Sequence, residues 1–194
     1  MIDIHDITNT VFTSKTYILS KEGFNKAWLV DIGDEEPVLE YLNAKRLVVE
    51  GVFLTHAHFD HIYGIEALVE HYPNCQVYVT EYAKQALASD KLNMSRYHGN
   101  HINYNKDNVV VVHEGESMML FEDESQMKFY ETPGHNPGCL TMVIGDIIFT
   151  GDAYIPKVEV NTQLPFADKD QAQVSLNRIL QLAYGKHILS GHRI

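Results

Sequence analysis

The chain has 194 residues, 45% of them hydrophobic, and carries 26 Asp and Glu against 15 Lys and Arg, for a formal net charge of −11. This composition predicts one compact domain over residues 1–194 with a substantial core, and it argues against disorder. The acidic balance counts against nucleic acid as a partner, and the sequence lacks the run of about 18 apolar residues that would span a membrane.

Short runs rich in Val, Ile, Phe and Tyr alternate with helical patterns along the chain. We predict strands over residues 16–20, 26–31, 47–55, 76–80, 109–112, 127–132, 139–144, 147–150 and 187–190. The predicted helices cover residues 35–44, 62–72, 81–89 and 168–184. Hairpin-like strand pairs occur beside strand–helix alternation, so the pattern predicts an α/β sandwich with mixed sheets.

The cysteine content and the first residues predict a compartment. Cys75 and Cys139 are too few for a disulfide framework, and residues 1–10 lack the basic and apolar regions of a secretion signal. Both observations predict a cytoplasmic protein. The eleven histidines are the unusual feature of the composition.

The predicted strand 47–55 ends directly in the segment His-Ala-His-Phe-Asp-His at residues 56–61. In extended backbone, residues two apart point to the same side, so His56 and His58 are able to face one ion. Asp60 and His61 follow where the chain turns into a helix, within reach of a second point nearby. Imidazole and carboxylate ligands suit zinc, iron and manganese, and three histidines in six residues bring no benefit to a core. The cluster therefore predicts a metal site.

Three further predicted strands end at a glycine-containing turn that carries a ligand-type residue. Strand 127–132 leads to His135, strand 147–150 to Asp152, and strand 187–190 to His192. Glycine permits the tight backbone geometry that brings such a residue close to an ion. Because active sites of layered α/β folds gather on loops at strand ends, we expect these residues beside the 56–61 cluster.

These motifs resemble those of the metallo-β-lactamase-fold hydrolases, and within them the glyoxalase II-like branch. The HxHxDH pattern at 56–61 is followed by Thr-Pro-Gly-His at 132–135, Phe-Thr-Gly-Asp at 149–152 and Ser-Gly-His at 190–192. Residues 25–33 are similar to an early strand pair of the family. The resemblance spans residues 25–192 and implies a four-layer αββα sandwich of two mixed β-sheets flanked by helices.

The resemblance also implies two divalent metal ions, with zinc expected and iron or manganese as alternatives. The implied ligands are His56, His58 and His135 for the first ion, Asp60, His61 and His192 for the second, and Asp152 as the bridge. Such sites hold hydroxide between ions about 3.5–4 Å apart, and zinc lowers the pKa of bound water to about 7. Asp60 is the expected catalytic residue, because it would orient that hydroxide.

We expect a hydrolase that uses a metal-bound hydroxide to attack a thioester or another small carbonyl ester, so the expected partner is a small-molecule substrate. The alternatives are a mononuclear iron persulfide or thiol dioxygenase of the same fold, a lactonase, and a non-enzymatic metal-binding domain. A β-lactamase is less favoured, because those enzymes are secreted and often use a Cys ligand. Glyoxalase II adds a helical domain that binds glutathione, and this chain ends two residues after His192. The substrate, a C-terminal extension and a dimeric state are therefore open.

Several other residues have weaker predictions. Asp31 is expected to support a turn or a ligand, Cys139 to pack in the core, and Tyr154 is a candidate to face the site. In the long polar segment 90–108, the candidates for substrate contact are Tyr97, His98, His101 and Tyr104, and a solvated loop is the alternative. The histidines without a strand-end context are expected at the surface or at caps: His5, His71, His98, His101, His113 and His187.

Overall fold

The computed structural model describes residues 2–122 and 126–193, which form eleven strands and four α-helices. The elements of the first half are β1 (Ile2–Thr8), β2 (Lys15–Lys21), β3 (Lys26–Val30), α1 (Glu35–Lys45), β4 (Val48–Phe53), α2 (Ile65–His71), β5 (Gln76–Val79), α3 (Glu81–Leu87) and β6 (Val109–Val111). Those of the second half are β7 (Ser117–Met119), β8 (Gln126–Glu131), β9 (Leu140–Ile144), β10 (Ile147–Gly151), α4 (Lys169–Leu182) and β11 (His187–Ser190).

The strands form two mixed sheets. The first has the order β1-β2-β3-β4-β5-β6, with antiparallel pairing from β1 to β3 and parallel pairing from β3 to β6. The second has the order β11-β10-β9-β8-β7, and only β10 and β11 pair in parallel. The mixed sheets predicted from the sequence are confirmed.

Three apolar clusters separate the layers. Successive residues of a strand point to opposite faces, so Ile18 and Leu29 pack towards α1, α2 and α3, while Leu19 and Trp28 pack towards the second sheet. A third cluster joins the outer face of the second sheet to Ile179 of α4. The layers are therefore helices, sheet, sheet and helix, as the family resemblance implies. Among the described residues, no helix is long and apolar enough to cross a membrane.

The structure differs from the predicted elements at β1, at β7 and at the start of α2. The predictions miss β1 and β7, which lie at sheet edges: the apolar residues of β1 are separated by Asp3, His5 and Asp6, and β7 has three residues, none of them fully buried. The helix predicted from residue 62 begins at Ile65, because residues 59–61 form a single 3-10 turn. A Cβ at Gly64 would lie 2.1 Å from the Gly33 carbonyl oxygen, so the two backbones pack directly against each other there.

Both cysteines are buried, which agrees with the packing predicted for Cys139. Burial raises the pKa of Cys75 to about 12, and it also raises the pKa of Cys139. Since the thiolate is the reactive form, we expect neither thiol to react with a disulfide reagent at pH 8 in the folded chain. Both should react after unfolding in guanidinium chloride. Rapid reaction of either thiol in the folded protein would contradict this packing.

Candidate metal centre

The seven predicted ligands lie at the carboxyl ends of four strands, on one edge of the sandwich. The predicted ligands follow β4, β8, β10 and β11 in the chain. In the second sheet, β8 and β10 both run antiparallel to β9, and β11 runs parallel to β10. The carboxyl ends of β8, β10 and β11 therefore lie at the same edge of this sheet. The ligand atoms fall into three overlapping groups, with all atoms of a group within 4.8 Å of one another. The groups are His56, His58 and His135; Asp60, His61 and His192; and His56, His61 and Asp152.

Three buried imidazoles, His56, His58 and His135, form the first triad. The Nδ1 atom of His58 lies 3.1 Å from His56 Nε2 and 3.0 Å from His135 Nε2. Burial lowers the pKa of all three rings, that of His58 to about 3, and the neighbouring imidazoles lower these values further. The three rings are therefore neutral at pH 7, with nitrogen lone pairs able to bind a cation.

Asp60, His61 and His192 form the second triad. The Nε2 atom of His192 lies 3.3 Å from Asp60 Oδ2 and 3.4 Å from His61 Nε2. Burial lowers the pKa of His61, but the carboxylates of Asp60, Asp152 and Asp31 outweigh this effect and raise it to about 10. The electrostatic potential at the second triad is therefore negative, so this position attracts a proton or a metal cation.

Asp152 lies between the two triads. Its Oδ2 atom is 3.2 Å from His192 Nε2 and 3.6 Å from His135 Nε2. Its Oδ1 atom is buried and has no hydrogen-bond partner within residues 2–122 and 126–193. Burial would raise the pKa of Asp152, but the nearby imidazoles outweigh burial and hold the pKa well below its usual value. The side chain is thus an ionised carboxylate whose Oδ1 atom lies 3.5 Å from His61 Nε2 and accepts no hydrogen bond within the described residues.

Two glycines make room for this carboxylate. A Cβ at Gly191 would lie 2.1 Å from Asp152 Oδ1, so any larger residue would displace the carboxylate. At Gly151, φ is +49° and a Cβ would lie 2.6 Å from the Thr55 side chain. Close packing and left-handed backbone therefore account for the glycines in the Phe-Thr-Gly-Asp and Ser-Gly-His motifs.

In each of the five histidines, the ring nitrogen that faces away from the triads has a hydrogen-bond partner at 2.8–3.2 Å, which for His58 Nε2 is the Asn136 amide at 3.1 Å. The partners of His56, His61, His135 and His192 are, in that order, the Thr55 hydroxyl, the Asp31 carboxylate, and the carbonyl oxygens of Asn161 and Phe12. Each partner can accept from Nδ1–H, which leaves the Nε2 lone pair directed into the site. Histidines that bind metals commonly have such a contact.

Asp31 supports both triads. Its carboxylate accepts hydrogen bonds from the Thr55 backbone N–H at 2.7 Å, from the Thr55 hydroxyl at 2.8 Å and from His61 Nδ1 at 2.8 Å. Because the Thr55 hydroxyl donates to Asp31, its oxygen can accept from His56 Nδ1–H at 3.2 Å. Asp31 therefore holds His61 directly and His56 through Thr55, in agreement with the supporting role predicted for it.

The donor set fits divalent metal ions. Zinc–ligand bonds of about 2.0–2.1 Å at tetrahedral angles separate the ligand atoms by roughly 3.3 Å, and the contacts within and between the triads are 3.0–3.6 Å. Five imidazoles and two carboxylates form a set that zinc, iron and manganese accept. A cation would also provide a close partner for Asp152 Oδ1, which accepts no hydrogen bond within the described residues.

Two loops border the site. The loop after β10 bounds a cavity of about 70 Å³ whose wall includes His135, Asp152 and Asn161. From the 90–108 segment, the His98 ring stacks on Phe59 at 5.1 Å between ring centroids. His98, one of the candidates for substrate contact in the 90–108 segment, therefore lies against residues 56–61.

Three other predicted substrate contacts lie elsewhere. The expectation that Tyr104 reaches the metals is wrong, because its ring is buried in the core and its hydroxyl donates to Asn108 at 2.8 Å. His101 pairs with Asp90 at the surface. Tyr154 lines a neighbouring cavity of about 130 Å³ against α4.

Residues that were not predicted from the sequence also contact the ligands or their backbone, among them Phe12, Ser14, Thr55, Asn136 and Asn161. Phe12 and Asn161 act through main-chain carbonyls, which leave no signature in residue type. The positions of Thr55 directly before His56 and of Asn136 directly after His135 are sequence signals that could have found these two residues.

Comparison with known proteins agrees with this geometry. The hydroxyacylglutathione hydrolase of Pectobacterium atrosepticum is 28% identical over 136 residues, which are 70% of this chain and 45% of that protein. The chain thus spans less than half the length of this curated relative. Among solved structures, BLEG-1 B3 metallo-beta-lactamase has a TM-score of 0.88 and 27% identity, covering 99% of this chain and 92% of that chain. TTHA1623, in a di-iron-bound form, has a TM-score of 0.82 and 27% identity, with coverages of 98% and 92%.

The family comparison covers most of the chain. The sequence profile of the metallo-beta-lactamase superfamily matches residues 16–192, from the second strand to the last predicted ligand. This range contains both triads, Asp152 and Asp31. The chain therefore belongs to the metallo-beta-lactamase superfamily.

Proposed function

We propose that this chain is a metal-dependent hydrolase that holds two divalent ions, zinc by preference, and cleaves a thioester or another small carbonyl ester. Membership of the superfamily supports hydrolysis, and the similarity to a hydroxyacylglutathione hydrolase supports a thioester substrate. The observation that carries the proposal is Asp152, whose carboxylate faces both triads and has a buried oxygen that accepts no hydrogen bond from the described residues.

The chemistry divides between the ions and the chain. Divalent ions in the two triads would polarise the substrate carbonyl and lower the pKa of water to about 7. The Asp60 side chain is 13% exposed and lies against His61 and His192, so its carboxylate would orient the attacking water. The two divalent ions would bring four positive charges, and Asp60 and Asp152 bring two negative ones. The net positive charge would stabilise the oxyanion that forms when water attacks the substrate carbonyl. Neither cysteine belongs to a ligand group, so water is the proposed nucleophile.

The proposed partner is a small molecule in the cytoplasm. The cavity beside His135 and Asp152, at about 70 Å³, suits the reacting part of such a molecule. The net charge of −11 disfavours nucleic acid.

Hydrolysis of a β-lactam is the second candidate, because the fold matches BLEG-1 B3 metallo-beta-lactamase over nearly the whole chain. A lactone substrate and iron-dependent oxidation of a thiol or persulfide stay as alternatives on the same fold. Iron is a realistic occupant, since TTHA1623 has been crystallised in a di-iron-bound form.

Elemental analysis of the purified chain, followed by a substrate panel, tests the proposal. The panel contains thioesters, lactones, β-lactams, phosphodiesters and a persulfide with an oxygen electrode. We expect close to two metal ions per chain and turnover of thioesters, with no oxygen uptake. One tightly bound iron with persulfide-dependent oxygen uptake would replace the hydrolase with the dioxygenase, and turnover confined to β-lactams would select the second candidate.

A further inference from the structure

The turn between β1 and β2, residues 9–14, has a strained backbone. Phe12 and Thr13 have φ values of 53° and 58°, in the left-handed region that a Cβ makes unfavourable. Hairpin turns with two such residues usually carry Asn and Gly at these positions. Strain of this kind persists only where the surroundings fix it, and it gathers at functional sites.

A buried asparagine fixes the turn. The backbone N–H of Asn9 donates to the Ser14 carbonyl oxygen at 2.8 Å, and its side-chain amide donates to Ser14 Oγ at 3.1 Å and Thr16 Oγ1 at 3.2 Å. The N–H of Ser14 donates to the Val11 carbonyl oxygen at 3.2 Å. These bonds hold both ends of the turn together despite the strain at its centre.

The turn contacts two ligands of the second triad. His192 Nδ1 lies 2.9 Å from the Phe12 carbonyl oxygen, which can accept a hydrogen bond from Nδ1–H. The Ser14 hydroxyl donates to the Asp60 carbonyl oxygen at 2.6 Å, and Ser14 also pairs with His192 as an isolated β-bridge. Two further main-chain bonds join the same segments, from Lys15 N–H to Gly191 and from Arg193 N–H to Thr13.

The first triad is held by other parts of the chain. His56 contacts Thr55, His58 contacts Asn136, and His135 contacts Asn161. None of these three histidines has a hydrogen bond to the turn within residues 2–122 and 126–193. The turn therefore acts on one triad and not on the other.

We propose that Phe12, Thr13 and Ser14 are positioning residues for the second metal ion, so that the β1–β2 turn sets the affinity of the second triad separately from the first. The strained conformation directs the Phe12 carbonyl at His192 and the Ser14 hydroxyl at the Asp60 backbone. A relaxed turn would leave both contacts unmade while the first triad stayed intact. This inference rests on the two-ion site proposed above.

Ser14→Ala tests the inference, with Ser175→Ala as the matched control. Both serines are buried and donate to a main-chain carbonyl at 2.6 Å, but Ser175 contacts Pro133, away from the second triad. Zn(II) alone is titrated into the metal-free full-length chain in competition with a chromophoric chelator. We expect Ser14→Ala to weaken the second zinc ion about 10- to 100-fold, the usual effect of losing a contact behind a ligand. The first ion should change less than about twofold, and Ser175→Ala should leave the second ion unchanged.

A second pair of variants covers the case of a folding defect in Ser14→Ala. One glycine is inserted between Thr13 and Ser14, and in the control one glycine is inserted between Gly145 and Asp146, at the other end of β10 from Asp152. Circular dichroism shows whether each insertion variant is folded, and the zinc titration counts the bound ions. The folded chain with the first insertion should bind one zinc ion, and the folded control should bind two.

Two results would overturn the inference while the proposed function stands: equal weakening of both ions, or an unchanged second ion in both Ser14→Ala and the turn insertion. Binding of only one zinc ion by the unsubstituted chain would overturn the two-ion function and the inference together. The two failures are therefore distinguishable.

Discussion

Asp152→Asn is expected to lower the rate of thioester hydrolysis by about three orders of magnitude and to reduce the number of bound metal ions. The carboxylate contacts His135 of the first triad and His192 of the second at 3.6 and 3.2 Å. An amide keeps its shape, but it removes the negative charge and directs an NH₂ group at one of the triads. A thousandfold lower rate corresponds to a loss of about 4 kcal/mol of transition-state stabilisation, because each 1.36 kcal/mol changes the rate tenfold.

The control for this substitution is Asp146→Asn, at the opposite end of the same strand. The Asp146 side chain is 73% exposed and lies 3.9 Å from His187, far from either triad along β10. Turnover of one thioester and metal content by elemental analysis are measured for both variants. Asp146→Asn should retain both properties. An Asp152→Asn chain with full turnover and full metal content would refute the bridging role.

The residues of the candidate ligand set could be selected from the sequence because their chemistry is local. The 56–61 cluster follows one strand directly, and each remaining ligand follows a strand and a glycine, so residue type and spacing carry the information. The structure adds the reason for the glycines. At Gly191, a Cβ would collide with Asp152 Oδ1, which is a contact between segments about forty residues apart in the chain.

The contacts behind the ligands could not be predicted in the same way. Phe12 acts on His192 through a main-chain carbonyl, and every residue type has one. The turn that carries Phe12 follows β1, an edge strand whose apolar residues are separated by Asp3, His5 and Asp6. The error at Tyr104 has the opposite cause. Its polar sequence context predicts a binding loop, but tertiary packing buries the ring and Asn108 satisfies the hydroxyl.

Asp31 is the supporting residue for which a signal does exist, since it ends a predicted strand within the family-like 25–33 segment. Its importance follows from its three hydrogen bonds. One comes from His61 of the second triad, and two come from Thr55, whose hydroxyl contacts His56 of the first triad. The backbone at Asp31 has a φ of 58°, a conformation that Asn tolerates better than most residues. Asp31→Asn therefore changes the charge and the acceptors without adding backbone strain.

Asp31→Asn is expected to weaken both metal ions, each by about 10- to 100-fold, and to lower the free energy of unfolding of the metal-free chain by roughly 2 kcal/mol. An amide has one acceptor oxygen in place of two. Its buried NH₂ group therefore faces either the Thr55 N–H, in place of Oδ1, or both the Thr55 hydroxyl and His61 Nδ1, in place of Oδ2. Zinc titration against a chelator measures the affinities, and urea unfolding of the metal-free chain measures the stability.

Asp34→Asn is the matched control, because this carboxylate also accepts three hydrogen bonds, from Thr10 N–H at 2.7 Å, the Thr10 hydroxyl at 2.9 Å and the Tyr63 hydroxyl at 2.6 Å. Asp34 lies three residues further along the same segment and contacts no predicted ligand. Thr10 belongs to the β1–β2 turn, so the second zinc ion is not compared between the two variants. Asp34→Asn should lower stability and leave the first zinc ion unchanged, because His56, His58 and His135 have no hydrogen bond to Asp34 or to the turn within residues 2–122 and 126–193. If both variants lose stability but neither weakens the first ion, Asp31 is a structural residue only. If Asp31→Asn weakens the first ion while Asp34→Asn does not, the link from Asp31 through Thr55 to His56 is what holds that ligand in place.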